Sequence, residues 1–392
     1  MNRTNISMTW LATLNFAKGV PYVIVMVISL LMLRQMGLAP AVVTLLVGLC
    51  YLPWVLKAWW KPYVERLLKA SLWVLTSQLL LSISFASMAF AFPSVGLVIG
   101  LLMLIAWLTA IHNVAADRLS AKADDKAHHR MTRELSRKFA MVIGQGVLVM
   151  VAGNLQVFYR NDMLYAWRLM FYLVSGLFLL LFFWHALTLL RVSDAIGRAV
   201  GHTSCKSHPL AFIALFLFPL AQAMIIKVSI LFLTDTRSNG GLGLSPQEFG
   251  LVMGTVGIIA LTIGGLMGKK AIQYFGFSTC LWPMSLSMLV PSVVYMGLSY
   301  WQPDSLVAVS ICVLLEQMAY GLGFSLYLWL LQQIAWREQG KSLMALSLMT
   351  GCIVSGLVQE ALGYNGFFVA SLVLSGLTVV STSWLRKIPI NK

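Results

Sequence analysis

Long uninterrupted apolar runs, with neither the strict alternation of strands nor the polar face of surface helices, set the pattern of this chain. A helix crosses a bilayer with about 20 mostly apolar residues. Runs of that kind lie at 7–33, 40–61, 70–91, 95–117, 136–158, 166–190, 209–234, 246–268, 278–299, 304–334, 342–361 and 364–385. They predict an all-α membrane protein with twelve transmembrane helices. Connections between them are short, which leaves little chain for a soluble domain. Transmembrane barrels show weak alternating segments of about ten residues and are excluded. The first run is too long for the apolar stretch of a signal peptide, and a second span follows at once. It is therefore expected to be a retained helix.

Composition agrees with the pattern. The chain has 392 residues, 59% hydrophobic and 10% charged, against about 25% charged in ordinary soluble domains. That excludes both a soluble fold of this length and disorder. The formal net charge is +15, from 28 Lys and Arg against 13 Asp and Glu. In a soluble chain this would suggest nucleic acid; between membrane spans it marks cytoplasmic loops. With the amino terminus inside, only Arg34, Arg160, Arg168 and Arg237 fall outside, and Lys18 and Lys227 fall within spans. Both termini are thus expected to be cytoplasmic, with the bilayer as partner and no nucleic acid. Five cysteines are scattered without metal-ligand spacing; they predict apolar packing rather than a metal site or disulfides.

A short internal repeat divides the chain. Met36-Gly37-Leu38-Ala39-Pro40 precedes the second span, with Gly48 eight residues on. Leu242-Gly243-Leu244-Ser245-Pro246 precedes the eighth span, with Gly254 eight residues on. Each is a turn followed by proline at a helix start, about half a chain apart. Two parallel six-helix halves are the design of major facilitator transporters. The expected division is a first half 1–190, a cytoplasmic linker 191–208 and a second half 209–392. Between spans 2 and 3 lies a charged loop that is a degenerate form of the motif usual there in that fold, with Lys57, Lys61, Glu65, Arg66 and Lys69. Its counterpart is Gly264-Gly265-Leu266-Met267-Gly268-Lys269-Lys270. Such loops pin neighbouring helices during rocking, so Lys57, Glu65, Arg66, Asp117 and Arg118 are candidate gating residues.

Ionisable groups at bilayer depth are costly and mark function. Lys18 is about 16 Å into span 1 at 1.5 Å per residue. His112, Asn113 and Asp117 lie in span 4, His185 in span 6, Lys227 in span 7 and Glu316 in span 10. Spans 1, 4, 7 and 10 line the central cavity of the major facilitator fold. Lys18, His112, Asn113, Gln145 and Lys227 are therefore candidate solute-binding residues. Glu316 is the only acid deep in a span and the candidate proton-coupling site, with Lys227 its candidate partner. Lys18 has no acid near it in sequence, and a cavity lysine suits an anionic solute. His112 and Asp117 would sit about 140° apart on a helix and make no catalytic dyad. No catalytic residues, metal or cofactor are expected. His128 and His129 fall in the charged 118–138 segment and are expected to be solvated.

Several of these stretches resemble one branch of that superfamily. Phe16-Ala17-Lys18-Gly19-Val20-Pro21-Tyr22, Leu52-Pro53-Trp54-Val55-Leu56-Lys57-Ala58-Trp59-Trp60-Lys61-Pro62 and Ile111-His112-Asn113-Val114-Ala115-Ala116-Asp117 are similar to the first, second and fourth helices of the AmpG-like muropeptide permeases. Gly240-Gly241-Leu242-Gly243-Leu244-Ser245 and Leu315-Glu316-Gln317-Met318-Ala319-Tyr320-Gly321-Leu322-Gly323-Phe324 resemble later parts of it. Acetyl-CoA transporters are a related branch. The resemblance covers nearly the whole chain. It implies proton-driven uptake of anhydro-muropeptides across a bacterial inner membrane, by a monomer. The chain departs from the pattern at Asn113, Glu65 and Gln222, where the branch carries Asp or another acid.

The expected function is therefore secondary active transport of a polar anionic solute by alternating access, a symporter taking up solute with protons. Alternatives are an exporter of a siderophore-like or drug-like compound, a membrane-embedded enzyme acting on lipid or coenzyme A, and a transport-dead sensor. An enzyme would need catalytic residues clustered at one interface, and the sequence shows none.

Overall fold

A computed structural model of the chain describes residues 3–121, 127–160, 162–189, 209–334 and 337–386. The expected linker 191–208 and the side chains of His128 and His129 lie outside the described residues. Ten helices are long and apolar enough to cross a membrane, and a bent pair adds another. We number them α1 (Thr9–Gln35), α2 (Pro40–Val55, continuing as Lys57–Leu67), α3 (Ala70–Ala91), α4 (Val95–Ala121), α5 (Met131–Phe158) and α6 (Met163–Leu189). The rest are α7 (Pro209–Thr234), α8 (Pro246–Phe275), α9 (Phe277–Trp301), α10 (Leu306–Ile334) and the stretch Gln339–Arg386. This last stretch breaks at Gly363, whose φ of 67° leaves the helical region. A left-handed φ suits glycine, which has no Cβ to clash. It separates α11 (339–362) from α12 (364–386), so the helices number twelve, and no strand occurs among the described residues.

Starts follow the local sequence. Pro40 and Pro246 each sit in the first turn of a helix, and Ser245 caps α8 in a reciprocal capping box with Glu248. A capping box satisfies amide groups that the first turn leaves unpaired. α2 bends by 55° between Val55 and Lys57, next to Pro53 and before Pro62, so the single predicted span 40–61 is two helical pieces. One π-helical turn interrupts each of α1 (Ile24–Ile28), α5 (Val142–Leu148) and α8 (Val252–Gly257).

The chain forms two compact units, one of residues 1–29 and 56–202, the other of 30–55 and 203–392. The divisions follow the π turn of α1 and coincide with the bend of α2. In the first unit α1 packs on α4 and α5, and α3 packs on α4 and α6. Gly19 and Gly144 let α1 and α5 approach closely, for a Cβ at either would meet Ala140 or Val23. In the second unit α7 packs on α11, and α9 packs on α10 and α12. Each of these pairs repeats a pair six helices earlier. The repeat reaches side chains: Ser82 bonds Ser175 across α3 and α6 (3.2 Å), and Ser292 bonds Ser375 across α9 and α12 (2.9 Å). Small residues and buried hydroxyl pairs hold helices together where lipid supplies no hydrophobic drive. In the same way Gly264 and Gly268 of α8 lie directly on the α10 backbone around Met318 and Leu322. These glycines, expected to belong to a gating loop, are a packing seam.

Candidate functional site

In the first unit, polar residues of α1 and α4 form a ladder. Asn15 Nδ2 donates to Ser120 Oγ (3.4 Å), and one turn along, Lys18 pairs with Asp117. Positions three apart on each helix meet because the helices run antiparallel. Below them Leu11, Leu14, Ala115, Ala116 and Leu119 share one apolar core, and the two alanines leave room for α1. Lys18 is 7% exposed and Asp117 41%, so the lysine is the partner that depends on the pair. A buried ammonium without a counter-charge is far costlier than a carboxylate that still reaches water. Asp117, expected at a gate, is thus the counter-ion that the sequence around Lys18 lacks.

Other candidates in this unit fall in three places. His112 is fully buried, and its Nε2 lies 3.2 Å from Gln78 Nε2. Asn113 is half-buried with its Oδ1 sealed and without a hydrogen-bond partner. Gln145 is half-buried in the π turn of α5. Of the gating candidates, Glu65 pairs with Lys61 (3.7 Å), and its carbonyl accepts from Arg118 Nη1 (3.1 Å). Arg118 thereby fastens the end of α4 to the last turn of α2. Lys57 is buried at the bend, and Arg66 is exposed.

In the second unit Glu316 is 2% exposed at the middle of α10. Its Oε1 accepts from Tyr295 Oη of α9 (2.9 Å) and from Gln317 Nε2 (2.9 Å). Tyr295 is held in turn by stacking on Phe368 of α12 and by the edge of Phe232 of α7. The expected Lys227 partner is absent from this set. Lys227 sits on another face of α7, with its Nζ 5.3 Å from the ring of Tyr51, where an aromatic face attracts a cation. Gln222, one of the departures from the permease pattern, donates to the carbonyl of Met288 and links α7 to α9.

A second cluster in this unit was missed by sequence reasoning. Arg34 Nε and Nη2 donate to the two carboxylate oxygens of Asp235 (2.8 and 3.0 Å), and Tyr364 Oη donates to Oδ2 (2.7 Å). Arg34 Nη1 also reaches the carbonyl of Leu38 (3.0 Å). The ends of α1 and α7 and the start of α12 are joined on one carboxylate. A polar residue directly after an apolar span was the available signal at Asp235, and it pointed only to a loop. Among the described residues, no group of three or more His, Cys, Asp or Glu side chains is placed to hold a metal ion.

Comparison with solved structures gives this architecture a precedent. The nucleoside transporter NupG, in a mutant form, aligns with TM-score 0.73 at 13% identity, covering 97% of this chain and 98% of that one. A POT family transporter in complex with 5-aminolevulinic acid aligns with TM-score 0.73 at 12% identity, over 98% and 97%. A bacterial homologue of the human lysosomal transporter Spinster, inward-facing and unoccupied, aligns with TM-score 0.69 at 13% identity, over 98% and 97%. The chain has the major facilitator fold. No family model matches it, and no curated protein matches it at a significant level. The likeness at this identity is one of fold, and the six-helix repeat seen in the Ser82–Ser175 and Ser292–Ser375 pairs belongs to it.

Proposed function

We propose that the protein is a secondary transporter in which Glu316 is the proton-coupling carboxylate and the solute is polar and anionic. The observation that carries this reading is the setting of Glu316. It is a buried carboxyl group in the middle part of α10 whose hydrogen-bond partners, Tyr295 and Gln317, are both neutral. A carboxylate paired with a lysine would be a fixed structural charge. One bonded only by neutral donors can gain and lose a proton without stranding a cation. Among the solved transporters of similar fold, one is named a nucleoside transporter and another is in complex with 5-aminolevulinic acid, so small polar molecules have a precedent in a fold of this kind.

Lys18, whose ammonium is paired with the half-exposed Asp117, is the proposed contact for an anionic group that displaces that carboxylate, and His112, Asn113, Gln145 and Lys227 are the further contacts proposed. The halves 1–190 and 209–392 would rock in alternating access, with Glu65, Arg118, Lys57 and Arg66 holding the charged end of the first half. The distribution of basic residues supports both termini inside, and uptake through a bacterial inner membrane follows from the motif resemblance alone. The motif resemblance makes anhydro-muropeptides the first solutes to test. Purified protein in proteoliposomes with an inward proton gradient should accumulate labelled anhydro-muropeptide. Absence of uptake across a panel of such compounds overturns the solute assignment.

A further inference from the structure

In the second unit α8, α9 and α10 meet at Glu316. Its Oε1 accepts from both donors, Tyr295 Oη of α9 and Gln317 Nε2 of α10, each at 2.9 Å. Both donors also rest on one short segment, the π turn of α8 (Val252–Gly257). Tyr295 Oη lies 3.8 Å from Sδ of Met253 in that turn. Gly257 closes the turn, and a Cβ there would meet Gln317 Cγ at 3.4 Å and Val313 Cγ1 at 3.5 Å. Glu316, Tyr295, Met253 and Gly257 are all buried. A π turn inside an α-helix often stands at a functional position.

The two donors can be followed through both states of the carboxyl group. An ionised Glu316 is a far stronger acceptor for the phenol than the thioether of Met253. Tyr295 and Gln317 then bind Oε1 through charge-assisted hydrogen bonds, about twice as strong as neutral ones. With both donors on Oε1, the incoming proton is taken up at Oε2. Oε1 becomes a neutral carbonyl oxygen, both bonds loosen, and the phenol proton is free to turn to Met253 Sδ. Among the described residues, Tyr295 and Gln317 are the side chains that act on Glu316. The groups around Tyr295 are Phe232 and Ser229 of α7, Phe368 of α12 and the Cys312 thiol, one turn before Glu316 on α10. None of these carries a charge, and Lys227 is turned to Tyr51.

We propose that Tyr295 and Gln317 are positioning residues that hold Glu316 by Oε1 against the π turn of α8, so that the proton binds at Oε2 and the turn registers its arrival. The inference deepens the role given to Glu316. Its link to transport rests on the proton-coupling reading above; the positioning and the response of the turn do not.

The test is a pH titration of full-length protein in nanodiscs, without solute, followed by infrared difference spectroscopy. The Glu316 carboxyl band is the one that Glu316→Gln removes. Tyr295→Phe keeps the ring stacked on Phe368 and loses only the hydroxyl. Losing a donor to the charged form favours the protonated form, so the midpoint should move to higher pH by about one unit, a tenfold change in proton affinity. Gln317→Leu should move it the same way, and it keeps the test open if Tyr295→Phe does not fold. An unchanged midpoint in the folded variants overturns the positioning role. Hydrogen exchange of the 252–257 amides, corrected for the intrinsic effect of pH, reads the turn. In wild type it should change across the Glu316 midpoint, and in Glu316→Gln it should stay flat. Met253→Leu should leave the midpoint in place and flatten the exchange response. A flat wild type, or a full response in Met253→Leu, overturns the part given to the turn. Wild type that titrates as expected but accumulates solute without a proton gradient overturns the coupling reading and leaves the positioning standing.

Discussion

Arg34 and Asp235 face each other in a bidentate pair, with both guanidinium contacts within 3.0 Å. Tyr364 completes the set, and Asp235 is buried beneath it. Three donors on one buried carboxylate make a strong latch between the ends of α1, α7 and α12. Arg34→Ala leaves Asp235 with Tyr364 alone, and losing one partner of a buried charge pair costs about 2–5 kcal/mol. The expected outcome is a lower melting temperature and faster labelling of a cysteine placed at Leu38. Arg34→Lys should recover only part of the loss, because an ammonium cannot reproduce the two-pronged contact. Unchanged stability and labelling in Arg34→Ala would show that the latch is not holding these ends.

Lys18 and Asp117 predict an asymmetry. Asp117→Asn strands a lysine that is 7% exposed, whereas Lys18→Met strands an aspartate that is 41% exposed. Removing one member of a buried pair costs about 3–5 kcal/mol when the remaining charge cannot reach water. Asp117→Asn should therefore lower the melting temperature more than Lys18→Met, measured on purified protein in the same detergent. The reverse order would mean that the pair does not form.

The α8–α10 seam should reject any added carbon. A Cβ at Gly264 or Gly268 would run into the α10 backbone, while Gly96 and Gly100 of α4 have nothing within 4 Å. Overpacking of a close seam costs about 1–3 kcal/mol. Gly264→Ala and Gly268→Ala should destabilise the protein clearly, and Gly96→Ala should leave its melting temperature unchanged or slightly raised. Similar effects at all three positions would contradict the packing.

The helices were legible in the sequence because their signal is local. Twelve apolar runs became twelve helices, and the repeat at Pro40 and Pro246 marked two equivalent helix starts. The break expected after residue 361 falls at Gly363. What no local pattern could show was partnership across the bundle. Lys18 and Asp117 stand 99 positions apart, and Arg34 and Asp235 stand 201 apart. Glu316 was visible as the deep acid, but its partner came from the aromatic stack around Tyr295 rather than from Lys227. Two helix faces had to be oriented before that choice could be made, and apolar all-round helices give no moment from which to orient them. For the same reason His185 stood in the sequence only as a polar residue of span 6, and Gln78 was not singled out, although the two lie together beside His112.

The central claim is that Glu316 couples solute movement to protons, and the direct measurement separates exchange from accumulation. Proteoliposomes containing wild type or Glu316→Gln are assayed for solute counterflow and for uptake driven by an inward proton gradient. The glutamine keeps the shape and can still accept from Tyr295, but it cannot bind and release a proton. The account predicts that the variant retains counterflow and loses gradient-driven accumulation. Accumulation by Glu316→Gln equal to wild type, and abolished in both when the gradient is collapsed, would contradict it.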